Sequence, residues 1–66
     1  MRIDRIKLAV EMARREWRVG RLAEAAGLSR ATLSAAKGGK TIAHTTATRI
    51  ALALGVDVTE IIEKEM

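Results

Sequence analysis

Apolar residues recur along this chain at helical spacing, in blocks separated by glycine. The first block covers residues 4–16. On a helical wheel Ile3, Ile6, Leu8, Ala9, Val10, Met12, Ala13 and Trp17 span roughly 220°, wider than the stripe a surface helix needs. Asp4, Lys7, Glu11, Arg14 and Arg15 take the other side. So wide a face predicts a helix clamped by several others. Residues 19–26 form a second helix with Leu22, Ala23 and Ala26 inward, and residues 30–37 a third with Leu33 and Ala36 inward. In residues 45–54, Ala47, Ile50, Ala51 and Leu54 make one stripe that Gly55 stops, leaving Leu52 on the far side. A fifth helix is expected over residues 59–65. Asp57 and Glu60 have the spacing of a capping box, and Val56 and Ile61 suit the staple that accompanies one. The pattern predicts a five-helix, all-α single domain.

The junction between the second and third helices is the most informative stretch. Gly27 stands where a helix would end, since a residue just past a C-terminus often turns left-handed and only Gly does so without a Cβ clash. Ser29 stands where the next helix begins, its hydroxyl able to accept from a free first-turn N–H. Leu28 and Leu33 flank that cap at the spacing of a hydrophobic staple, and Trp17 and Leu22 do the same for the helix before. Two short helices joined by about three residues with Gly in the turn make a helix-turn-helix, whose second member enters a DNA major groove.

The residues Leu22, Ala23, Gly27, Leu28, Ser29, Leu33, Ser34, Gly39 and Lys40, with residues 50–56 reading IALALGV, resemble the phage Cro and lambda-repressor-like regulators. The resemblance spans about residues 6 to 63. Two positions depart from it: Val19 stands where the family usually has Gln, and Lys37-Gly38 replaces the usual Asn or Glu. The resemblance implies a lambda-repressor-like fold and operator binding. It places Arg18 and Arg21 where the second helix approaches the DNA backbone, and Lys37, Gly38 and Lys40 in a basic loop suited to phosphates. The third helix reads bases with the face bearing Arg30, Ala31, Ser34 and Ala35, flanked by Thr32 as a further phosphate contact. Arg30, the one long side chain at its leading end, could bond guanine in a two-pronged way or a phosphate. Ala31 and Ala35 could accept thymine methyl groups, and so Ala-rich a surface leaves part of the specificity to DNA shape. In this family the C-terminal helix often pairs two subunits, which makes Leu52, Ile61, Ile62 and Met66 candidates for a homodimer interface.

Charge sharpens this picture. Residues 1–40 hold ten Lys or Arg against four Asp or Glu, and residues 41–66 two against four, giving the net charge of +4. A basic half coinciding with the helix-turn-helix favours double-stranded DNA as the partner. With one aromatic, Trp17, base stacking on single strands has little to work with, and Trp17 is expected in the core. The absence of Cys removes disulfides and zinc-finger ligands and suits a reducing, cytoplasmic setting. No apolar run reaches the ~20 residues of a membrane span. His44, the sole histidine, has few carboxylates nearby, so no metal is expected. No nucleophile sits beside an oriented base, so no enzyme, cofactor or small-molecule ligand is expected. The competing class is a protein-interaction module, an antitoxin or adaptor that uses the same fold with little or no specific DNA binding.

Overall fold

The computed structural model of the protein describes residues 1–63. Four α-helices follow one another: α1 (Arg5–Arg14), α2 (Val19–Ala26), α3 (Arg30–Lys37) and α4 (His44–Leu54). The all-α class holds, but the fifth helix is one 3-10 turn, Val58–Glu60. Asp57 begins it by accepting from the N–H and the hydroxyl of Thr59, at 2.9 and 2.8 Å. Glu60 contributes its own backbone N–H to the Asp57 carbonyl, so the bonds made are those of a tight turn. The helix end expected at residue 65 lies outside the described residues.

After that turn the chain extends and runs back along its own beginning. Asp4 N–H donates to Ile61 O at 2.8 Å, and Glu63 N–H to Arg2 O at 3.0 Å. On the other side of the first residues, Ile42 N–H donates to Met1 O at 2.7 Å, and the Met1 amino group returns a bond to Ile42 O at 2.9 Å. Residues 1–4 are therefore the middle of three extended segments, with antiparallel bridges Arg2 to Thr41 and Ile3 to Ile62. Ile3 is not part of the first helical face; it enters the core from this ribbon. Helix α1 begins one residue later than expected because Asp4 caps it, its carboxylate accepting from Ile6 and Lys7 N–H.

The core is assembled from all of these pieces. Ile3, Leu8, Leu22, Leu33, Ile50 and Ile61 are its large, fully buried side chains, each worth about 1.5–3 kcal/mol of burial. Ala23, Ala36, Ala47 and Ala51 fill the spaces between the helices. Arg15 ties α1 to α4: its guanidinium donates to Glu11 O at 2.7 Å, to the Glu11 carboxylate at 3.0 Å, and to the Leu54 carbonyl at the end of α4.

All four helices end in the same way. In each, an N–H two or three residues past the helix end reaches back five residues: Trp17 to Met12 O, Leu28 to Ala23 O, Lys40 to Ala35 O, and Val56 to Ala51 O. The residue before it is left-handed and bonds inside that loop, which is the Schellman arrangement. That residue is Gly27, Gly39 or Gly55 in three helices, at φ 69, 85 and 71°. In α1 it is Glu16, at φ 54°.

Helix α1 departs from the expectation of a clamped helix. It buries Leu8 and Met12 only. Ile6 is 76% exposed and Val10 44%, and Ala9 and Ala13 are exposed as well.

Candidate nucleic-acid interface

The helix-turn-helix forms as its punctuation dictates. Gly27 takes the left-handed turn after α2, and Ser29 Oγ accepts from Thr32 N–H at 3.1 Å to start α3. Leu28 packs on the core cluster that contains Leu33, which fixes the angle between the two helices. With Leu33 and Ala36 buried, α3 turns Arg30, Ala31 and Ser34 outward. Ala35, expected on that face, is half-buried. Thr32 is half-buried too, and its hydroxyl lies 2.9 Å from Ser29 Oγ, so it is engaged in the cap before any phosphate arrives.

The expected phosphate contacts surround this face. Arg18 occupies the position before α2 with an extended backbone and makes no side-chain bond to the first-turn N–H groups, which stay open. Arg21 is exposed, its guanidinium 5.5 Å from the centre of the Trp17 ring. Lys37, Gly38 and Lys40 are exposed at and beyond the end of α3. Among the described residues, ion pairs form only between Glu11 and its neighbours Arg14 and Arg15. The cations around α3 are therefore free for a ligand.

Two features were not anticipated. The Arg30 side chain bends back over the first turn of α2, where a Cβ on Gly20 would lie 2.7 Å from Arg30 Nη2 and 3.1 Å from its Cζ. Residue 20 is bare there, and the guanidinium occupies the room. The signal was a Gly one residue inside a helix otherwise well supplied with formers. Trp17, expected in the core, is half-buried at the edge of an open cleft between α1, the start of α2 and α3. An aromatic just before the α2 cap suggests a staple, and no periodicity records that the ring would be left half-buried with Arg21 over it.

The dimer candidates scatter. Leu52 is 73% exposed beside Ala25, Arg49 and Ala53. Ile61 is fully buried and belongs to the core, so it is not available to a partner. Ile62 is half-buried in the ribbon with Ile3, and Met66 lies outside the described residues. His44 is exposed at the first turn of α4, and no three His, Cys, Asp or Glu side chains gather among the described residues. Within those residues no helix is long and apolar enough to cross a membrane.

No curated protein matches the chain. Among solved structures, a mutant of hydroxyethylphosphonate dioxygenase contains a stretch 32% identical, with a TM-score of 0.85 over 100% of this chain. Native PhpD with cadmium atoms, and PhpD with cadmium and hydroxyethylphosphonate, are each similar at 30% identity with a TM-score of 0.83, again over the whole chain. The chain spans 14% of the length of each of these proteins. The family model of the Cro/C1-type helix-turn-helix DNA-binding domain matches residues 7–65. The chain belongs to that family.

Proposed function

We propose that this protein binds double-stranded DNA at specific sequences, with α3 in the major groove, and regulates transcription by occupying an operator. The observation that supports this best is the outward face of α3. Arg30, Ala31 and Ser34 are exposed together on a helix whose opposite side is anchored by Leu33 and Ala36. Arg18, Arg21, Lys37 and Lys40 surround that face without carboxylate partners. Cations so arranged hold phosphates while the helix meets base edges. Arg30 is the base-reading candidate, and Ala31 offers a methyl contact to thymine. With few hydrogen-bonding side chains on α3, DNA shape supplies part of the selectivity. On this reading the chain is a binding module without catalysis of its own, acting in the cytoplasm. A homodimer through Leu52 and Ile62 would ask for half-sites about 34 Å apart.

The test is selection from a random duplex library with the wild type and Arg30→Ala in parallel. An enriched motif that Arg30→Ala relaxes at one position supports the reading. Weak, salt-sensitive binding common to both proteins and to all sequences removes it.

A second reading, a protein-interaction module, is favoured by one observation. A stretch 32% identical to the whole of this chain makes up 14% of a dioxygenase chain. A similar helical unit thus stands within an enzyme, and the open face of α1 gives this chain a surface for such a neighbour.

A further inference from the structure

The DNA reading uses the cations around one cleft and leaves its apolar lining unused. The cleft between α1, the start of α2 and α3 has a volume of about 990 Å³. Its apolar lining is shallow: Ala9 and Ala13 from α1, Trp17 and Val19, with Arg30 lying over Gly20 and Arg21 over the Trp17 ring. Its rim carries Arg18, Arg21, Arg30 and Lys37 against one carboxylate, Glu24. The apolar lining continues along α1, where Ile6 and Val10 stand exposed three residues before Ala9 and Ala13 respectively.

A DNA phosphate satisfies only half of this chemistry. It would pair with the rim and leave Trp17 and the alanines facing water. A second copy of α1 suits it poorly as well, since the one carboxylate of that helix, Glu11, is already paired with Arg14 and Arg15 and leaves nothing to meet the basic rim. The matching ligand is apolar along one side and negative along its edges. Small residues on the floor let a helix axis approach to about 8–10 Å. The ten residues of α1 give it a seat of about 15 Å, or three turns. Trp and Arg are the side chains that most often anchor such contacts.

We propose that this cleft docks an acidic amphipathic helix from a protein partner, and that this helix and duplex DNA exclude one another. The docking stands on the cleft's own chemistry. The exclusion rests on the DNA reading above, because both ligands use Arg30 and Lys37. The partner helix lies along α1 with its apolar side on Ala9, Ala13 and Trp17 and its carboxylates on the rim. Its presence would release the protein from DNA without any change in fold.

Trp17 is the only tryptophan, so its fluorescence reports the cleft directly. The probe is a synthetic helical peptide of about four turns with Leu along one face and Glu elsewhere. Controls are the scrambled peptide, the peptide with Lys in place of Glu, and vesicles of equal parts phosphatidylcholine and phosphatidylserine. The acidic amphipathic peptide is expected to shift Trp17 emission and to bind at least about tenfold tighter than either control peptide. Ala13→Gln, which fills the floor without adding charge, is expected to weaken the peptide by about tenfold and leave duplex affinity within about twofold. Preloading with peptide is expected to raise the apparent Kd for duplex by a factor of one plus the ratio of free peptide concentration to the peptide's own Kd. Equal binding of the scrambled peptide, or indifference to Ala13→Gln, overturns the docking while leaving DNA binding as measured. Simultaneous binding of peptide and duplex overturns the exclusion. A Trp17 shift with vesicles alone, or a dimer in sedimentation that Ala13→Gln dissolves, overturns the proposal in favour of a membrane surface or a second copy. Peptide binding by a protein that binds no duplex would keep the docking and remove the DNA reading.

Discussion

Arg30 rests on Gly20, with its Nη2 at 2.7 Å from where a β-carbon on that residue would lie. The long side chain of the third helix is thereby drawn toward the open N–H groups of the second. Gly20→Ala puts a methyl group into that space, and the atom it meets is the far end of a flexible side chain that can swing away. The helix gains propensity, about 1 kcal/mol at most, so the melting temperature should rise by roughly 4–8 °C. The DNA motif should change at the position that Arg30→Ala relaxes. A fall in melting temperature, read by circular dichroism, would mean that Arg30 is held rigidly and contributes to the fold.

Salt separates phosphate contacts from base contacts. If Arg18, Arg21, Arg30, Lys37 and Lys40 all meet phosphates, log affinity should fall with log salt at a slope of about −4 to −5 per subunit. Arg18→Ala should flatten the slope by about 1 and weaken all sequences alike. Titrations by fluorescence anisotropy at several salt concentrations give both numbers. A wild-type slope near −1 would remove the assignment of these cations.

Glu16 occupies the left-handed position that glycine holds at the ends of the other three helices. A side chain there costs about 1–2 kcal/mol, and Gly recovers most of this less its greater freedom when unfolded. Glu16→Gly should therefore stabilise the protein by roughly 0.5–1 kcal/mol. Gly27→Ala, the reverse experiment, should destabilise it by about 1 kcal/mol. Urea unfolding at neutral pH compares the two, and a loss of stability in Glu16→Gly would show that its carboxylate makes up for the backbone.

Asp57 gives the fold a dependence on acid. The Thr59 N–H, and then its hydroxyl, hold the Asp57 carboxyl below its ordinary value of 3.8. Its stabilisation is present above that ordinary value and is lost as pH falls through the lowered, folded one. Asp57→Ala should melt below the wild type at neutral pH, with the gap closing as pH falls below that ordinary value. A gap of constant size across this range would show that the ionised carboxylate is not what the turn uses.

The local signals in the sequence carried far. Gly27, Ser29 and Gly55 mark real helix boundaries, and α2 and α3 span the residues that spacing predicted. These features depend on neighbours within about five residues, where capping and turn chemistry act. The first and last segments are not legible in this way, for the opposite reason. Ile3 pairs with Ile62, and Asp4 with Ile61, across almost the whole chain, and no periodicity in a short window records such a partner. Helical spacing alone puts Ile3 on the first helix and Ile61 and Ile62 on a last one, although three β-branched residues at these two places also suit extended structure. At the interface, the identity of the outward residues of α3 was legible from the burial of Leu33 and Ala36. The bend of Arg30 and the half-buried place of Trp17 depend on the space above Gly20 and beside Ala13, which only the packed helices define.

The ribbon joining residues 1–4 to residues 61–63 has a topological consequence. Because the first and last described segments run side by side and antiparallel, the backbone arrives and departs on the same side, about one strand spacing apart (~4.8 Å). A unit closed in this way can be spliced into a surface loop of a larger protein without prising the loop open. The arrangement makes the domain a portable cassette, able to carry its helices into a host as one piece.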